Sequence, residues 1–176
     1  MNKHRLDNFL ARELSAYQST FKDTSFDSVN KVYVCTDVQV KQVYDFDAYI
    51  QAKFGKNAIM PASPDAIYVG AKRLYFVEFK NQIWSKVDKQ QIAQKFRDGT
   101  SALKSLLADF TPRDCKFVFC VVHKKETSSR AYWRGVEAGA ERFNFDALNK
   151  DLDEFYDDII VRDVDFYRQN FNELSC

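Results

Sequence analysis

Three residues in the stretch SPDAIYVGAKRLYFVEFK, positions 63–80, have the types and spacing for phosphate chemistry: Asp65 opens one apolar run, and Glu78 and Lys80 close a second. The runs Ala66 to Val69 and Leu74 to Phe79 are rich in β-branched and aromatic residues, with Gly70, Ala71, Lys72 and Arg73 between them. That pattern predicts a β-hairpin. Closing it brings Asp65 opposite Glu78, within a residue or two, at a Cβ separation of about 4.5 to 5.5 Å. Two carboxylates at that distance repel unless a cation lies between them, and a hard divalent ion such as Mg²⁺, held by oxygen at about 2.0 to 2.1 Å, meets the need. Strand side chains alternate, so Lys80 shares a face with Glu78 and its ammonium points at the same place.

A plainer explanation is that Asp65 caps a turn after Pro64 and that Glu78 and Lys80 are the solvated end of a strand. Against it, both faces of the second strand are apolar, with Tyr75, Val77 and Phe79 on one and Leu74 and Phe76 on the other. Glu78 continues the second of these faces, where an unpaired charge is costly. Pro61 and Pro64 restrict the backbone just ahead of Asp65.

The set Pro64, Asp65, Glu78 and Lys80 resembles the motif of the PD-(D/E)xK nuclease superfamily, in which Pro-Asp precedes an acidic-x-Lys on the next strand. The resemblance implies an α/β, restriction-endonuclease-like fold: an αβββαβ core with a central mixed sheet flanked by helices, here over about residues 5–123. A C-terminal α/β extension would occupy about 124–176. It also implies a Mg²⁺-dependent endonuclease, with Mn²⁺ able to substitute, that hydrolyses phosphodiester bonds of nucleic acid, DNA ahead of RNA. Asp65 and Glu78 would hold the metal with the backbone carbonyl of Phe79, and Lys80 would orient the attacking water. The superfamily's first core helix often carries a metal-binding Glu, for which Glu13 is the candidate; a boundary glutamate reaching solvent is the other reading. A Gln or Lys on the helix after the motif often lies near the metal, and Gln91 followed by Ile92 matches that pattern, although Phe96 comes one residue late for the aromatic that follows. Such nucleases often act as homodimers or with a partner that supplies recognition. The alternative is a catalytically inactive nuclease-like fold serving as a binding, immunity or assembly protein.

Composition narrows the field further. The chain of 176 residues, 45% hydrophobic and 15% aromatic, can bury a substantial core and is expected to form one domain. With 26 basic and 25 acidic residues its net charge is +1, which excludes coating of nucleic acid by bulk charge and leaves only local patches. The basic candidates are Lys86 and Lys89 at the head of a helix, and Lys124, Lys125, Arg130 and Arg134 around Tyr132 and Trp133. A solvated surface would read the same way. Four cysteines show no CxxC pair and no metal-ligand spacing with His4 and His123, which points to a reducing compartment, the cytoplasm. No apolar stretch approaches the eighteen or so residues of a membrane span, so no membrane partner is expected. No P-loop pattern occurs.

The elements that must carry the motif are legible as patterns. Apolar residues from Leu6 to Phe21 fall at helical spacing, Lys31 to Cys35 reads as a short strand, and Tyr44 to Phe54 as a helix stopped by Gly55. Ala58 to Pro61 suggests a further strand, Asn81 to Ser85 a turn, and Lys86 to Phe110 a long helix that Gly99 weakens locally. Cys115 to His123 is nearly continuous apolar sequence, as in an inner strand covered on both faces, and His123 reads as a capping or partly buried residue. The acid-rich tail predicts a strand at Ile159 to Val161 and a closing helix around Asp165 to Phe171, set away from any phosphate backbone.

Overall fold

In the computed structural model, residues 5–55, 59–70, 72–108, 110, 115–125, 144–170, 174 and 176 are described. Helix α1 (Leu6–Glu13) leads through strand β1 (Gln18–Ser19) and the single turn α2 (Phe21–Thr24) to a small hairpin of β2 (Phe26–Asp27) and β3 (Val32–Tyr33). Strand β4 (Val43–Asp45), helix α3 (Phe46–Phe54), β5 (Ala66–Val69) and β6 (Arg73–Ile83) follow. The chain then runs through α4 (Lys89–Leu106), β7 (Lys116–Lys124), a helix α5 at 144–151, β8 (Asp158–Asp163) and α6 (Val164–Asn170). Six strands make one mixed sheet in the order β1-β4-β5-β6-β7-β8. It is antiparallel as far as β6 and parallel from β6 through β7 to β8. Parallel neighbours need a crossover, which α4 supplies between β6 and β7.

The alternation of β6 decides which helices cover which face. Leu74 and Phe76 point into a core with Leu6, Leu10 and Leu14, Ile50 of α3, and Ile92, Phe96 and Leu103 of α4. Tyr75, Val77 and Phe79 point the other way, against Phe21 of α2 and Val164 and Tyr167 at the C-terminus. Strand β7 carries buried residues to both sides, Phe119 and Val121 to one core and Val118, Cys120 and Val122 to the other. Its continuous apolar run reflects that double burial.

Several boundaries differ from expectation, each for a local reason. Helix α3 starts at Phe46 because the Asp45 side chain accepts from the Ala48 amide, which leaves Tyr44 in β4; it ends at Gly55, whose φ of 66° suits a residue without Cβ. Helix α4 begins at Lys89, where the Asp88 carboxylate accepts from the amides of Gln90 and Gln91. Strand β6 continues to Ile83, past the expected turn at Asn81, and only then enters a 3₁₀ turn at Trp84–Lys86. The segment around Lys31 to Cys35 pairs only with β2, so its strand stands off the main sheet. Positions 59–64 contain no strand. The strand expected at Ile159 to Val161 and the closing helix are present as β8 and α6, β8 forming the edge strand of the main sheet in register with β7.

Gly99, which weakens the helical pattern of α4, has a packing role. A Cβ at this position would lie 2.4 Å from Pro64 Cδ and 3.3 Å from Phe76 Cε1. The proline ring is rigid and its neighbour is Asp65, so it cannot yield without moving that carboxylate. Gly99→Ala is therefore expected to destabilise the protein by about 1 to 2 kcal/mol in urea unfolding, since overpacking outweighs the ~1 kcal/mol gain in helix propensity. A more stable variant would contradict this packing.

Candidate active site

The approach to Asp65 is pinned by three hydrogen bonds from two helices, α3 and α4. Ser63 Oγ donates to Asp47 Oδ1 of α3 at 2.7 Å, the Ala62 amide donates to Asp98 Oδ2 of α4 at 3.2 Å, and the Asp65 carbonyl accepts from the Phe46 amide at 3.1 Å. Strand β5 begins at Ala66, opposite Val77, and the same register carried one residue back sets Asp65 opposite Glu78. Ahead of β5 the Asp65 side chain takes over the ladder, Oδ2 accepting from the Phe79 amide at 2.7 Å. The hairpin thus delivers the juxtaposition that the spacing implies.

Glu78 is fully buried, while the Asp65 side chain is 23% exposed. Between them lies an ammonium: Lys95 Nζ is 3.3 Å from Asp65 Oδ1 and 2.9 Å from Glu78 Oε2. A second, Lys80 Nζ, is 3.0 Å from Glu78 Oε1 and donates to Gln91 Oε1 at 2.7 Å. Gln91 and Lys95 are one helical turn apart on α4 and face the same end of β6. The result is a compact array of two carboxylates and two ammonium groups.

Burial, followed by the neighbouring Asp65 charge, drives the Glu78 carboxyl up to about 7, with Lys95 and Lys80 opposing the rise. Burial also raises Asp65, against the pull of Lys95 and the Phe79 amide. Lys95 is lowered by burial, but the two carboxylates more than offset this and hold it above the usual lysine range. Adjacent groups that are all displaced upward, two carboxyls by burial and an ammonium by its carboxylate partners, are common at functional sites.

The array opens into a cleft of about 350 Å³, with Asp65, Lys80 and Gln91 on one wall and Phe26, Asp27 and Asn30 of the β2–β3 hairpin on the other. The cleft owes its edge to an irregularity in β6. Pairing with β7 jumps from Lys80–His123 to Ile83–Lys124, so Asn81 and Gln82 bulge out of the ladder, and Asn81 Nδ2 reaches Asp27 Oδ2 at 3.1 Å. Bulges beside sites re-aim the neighbouring side chains in this manner.

The donor set suits a hard cation. Mg²⁺ commonly takes only one or two carboxylates and keeps several waters. Glu78 Oε1 is buried between the ammonium nitrogens of Lys80 and Lys95, at 3.0 and 2.9 Å, so a cation would reach it only by displacing an ion pair. A divalent ion would contend with Lys95 for these oxygens.

Other expected residues fall elsewhere. Glu13 is not brought to the array; with Leu10 and Leu14 turned into the core, it faces solvent and accepts from Arg12 Nε at 2.9 Å. Among the described residues no third His, Cys, Asp or Glu joins the pair. Phe79 contributes its amide, and its ring packs in the opposite core 6.1 Å from Phe21. Lys86 and Lys89 are exposed, the latter with Nζ 5.6 Å from the Trp84 ring centre. Lys124 lines a second cavity, and Lys125 pairs with Asp165 at 2.7 Å. Arg130 and Arg134 lie outside the described residues. His123 is partly buried, its ring 5.5 Å from Trp84.

Sequence reasoning passed over Lys95, which reads as one more polar residue on a solvated helix face. The available signal was its spacing, four residues after Gln91 and just before the core residue Phe96. All four cysteines are free. Among the described residues no helix is long and apolar enough to cross a membrane. No family model, curated protein or solved structure matches the chain.

Proposed function

We propose that this chain is a metal-dependent nuclease of the PD-(D/E)xK type, cleaving phosphodiester bonds of nucleic acid with DNA ahead of RNA. One observation carries the reading: a fully buried glutamate opposite an aspartate, with two lysines on the pair, at the floor of an open polar cleft. Burying charge is costly and a fold gains little stability from it, so such an array is better explained by chemistry than by support of the sheet. With the edge strand β1, α2, the β2–β3 ribbon and α3 left aside, the order α1, β4, β5, β6, α4, β7 is that of the αβββαβ core the motif implies, β4 standing where a strand was expected at Lys31 to Cys35 or Ala58 to Pro61.

In this reading Asp65 and Glu78 would hold Mg²⁺ or Mn²⁺, which when bound supplies charge to the phosphoryl oxygens and makes a coordinated water easier to deprotonate. The rest belongs to the chain. The Phe79 amide fixes Asp65 Oδ2, and Oδ1 is left to meet Lys95. Lys80, tethered by Gln91, sets its ammonium where it can orient a water and offset charge gathering on the phosphate. Lys95 keeps the two carboxylates together before a cation arrives.

That last contact also supports a second reading, a binding or assembly module with a retired site. Two ammonium groups already balance the two carboxylates, so the array needs no metal to persist. Incubation of plasmid, single-stranded DNA and RNA with Mg²⁺, Mn²⁺ or EDTA, alongside thermal unfolding in the same buffers, separates the two. Cutting that EDTA abolishes, with a melting temperature raised by several degrees at saturating metal, is expected. No cutting and no metal-dependent shift would leave the binding module.

A further inference from the structure

The β2–β3 hairpin forms one wall of the cleft yet adds nothing to the main sheet, and it is unusually apolar for an exposed ribbon. Phe26 and Tyr33 are direct partners across it, their ring centres 4.8 Å apart, and they are 42% and 44% exposed. The ring pair is bracketed by cations. Lys22 Nζ lies 4.9 Å from the Tyr33 ring centre, and Tyr33 shares a second cavity, of about 440 Å³, with Lys124. Phe26 lines the first cavity with Lys80. The two cavities share Asn30, Val34 and Asn81, so they adjoin along the hairpin, one holding Tyr33 and Lys124, the other Phe26, Asp65 and Lys80.

We propose that this hairpin is a stacking platform for single-stranded nucleic acid, which places unpaired bases on Phe26 and Tyr33 while the backbone passes Lys124 and Lys22 toward the carboxylate array. Partly exposed rings beside ammonium groups match what an unpaired strand presents, a base face next to a phosphate, and they stack only on a base that has left a duplex. The one acid on this wall does not spoil the match. Asp27 accepts from the Val29 and Asn30 amides and from the Asn30 and Asn81 side chains, which disperses its charge. An apolar protein partner fits less well, because polar Asn30, Asn81, Gln82 and Gln91 line the same cleft. The inference rests on the nuclease reading for the chemistry at the carboxylate array, but the hairpin's binding is measurable without cleavage.

The test is fluorescence anisotropy in EDTA, with a labelled oligodeoxynucleotide presented alone and annealed to its complement, for the native chain and the double variant Phe26→Ala, Tyr33→Ala. The single strand is expected to bind at least about tenfold more tightly than the duplex, and the double variant to lose about tenfold or more for the single strand with an unchanged melting temperature. Lys22→Ala with Lys124→Ala should flatten the salt dependence. Equal affinity for the duplex, native affinity in the aromatic variant, or no binding of either form overturns the platform. A concentration-dependent dimer in sedimentation that the aromatic variant lacks would reassign the hairpin to a contact between copies. Cleavage that persists while the aromatic variant binds normally rejects the platform alone; Phe26- and Tyr33-dependent binding with no cleavage under any metal rejects the nuclease alone.

Discussion

Lys80→Ala is expected to reduce phosphodiester cleavage by about a hundredfold to a thousandfold while the protein stays folded, the range typical for loss of one preorganised group that stabilises developing charge. The ammonium sits 3.0 Å from Glu78 Oε1, is steered by Gln91 at 2.7 Å and borders the open cleft. It can therefore act on a substrate and still be held in one place. Removing it does not leave the buried glutamate alone, because Lys95 remains on both carboxylates. Glu78 is fully buried and the Lys80 side chain only 16% exposed, so stability should fall by about 1 to 3 kcal/mol, less than the ~3 to 5 kcal/mol of stripping a lone buried pair because Lys95 stays in place. Arginine is not expected to rescue activity, since its planar fork cannot stand in for a compact ammonium in this space. Single-turnover cleavage with thermal unfolding of the same samples measures both parts. Activity within a few fold of native would remove Lys80 from the reaction, and a collapsed fold would mean that its contribution is structural.

Lys95→Met should act in the opposite sense, with a large loss of stability that metal restores. Methionine preserves the length of the side chain but leaves Asp65 and Glu78 facing each other with only Lys80 at one edge. Stripping one partner from a buried ion pair costs about 3 to 5 kcal/mol; Asp65's partial exposure and the remaining ammonium reduce this to about 2 to 3 kcal/mol. The loss should depend on pH. Glu78 in the folded native chain titrates near 7, above its ordinary value of 4.5, so the folded state binds the proton more readily than the unfolded state. That contribution to stability is complete below pH 4.5 and disappears as pH rises through 7. Without Lys95 the carboxyl rises further, so the variant's deficit is expected to be small at pH 5.5 and greatest above pH 8. Mg²⁺ or Mn²⁺ should recover more stability in the variant than in the native chain, because the ion no longer contends with an ammonium, and more at pH 8 than at pH 6, where protons occupy Glu78. Urea unfolding with and without metal at the two pH values measures all of this. Equal stability of variant and native protein, with equal metal shifts, would show that Lys95 is a bystander.

Both expectations depend on features that were legible to different degrees. The hairpin and the pairing of Asp65 with Glu78 were readable from sequence because strand alternation and a short turn are local rules: once Gly70 to Arg73 turn the chain, the register follows. The two-faced burial of β6 and β7 was readable for the same reason. Glu13 was misplaced because helical spacing alone does not say which residue at the edge of an apolar stripe faces the core, and here Leu10 and Leu14 take that side. Lys95 was missed because its partners lie 30 and 17 residues back on other elements, and a lysine on a helix reads as solvated until the helix is docked. Gly99 reads as a flaw in the pattern of α4, and only the docking of Pro64 against it gives the missing side chain a purpose.

Residue order and strand period thus carry the content of the site: two carboxylates and a lysine turned to one side. Their electrostatic state comes from long-range packing. The packing of α4 over the end of β6 inserts a cation from outside the motif and buries Glu78, and the β2–β3 ribbon closes the cleft above them. Those outcomes depend on contacts between residues far apart in the chain, formed where a whole core settles, and no local pattern encodes them.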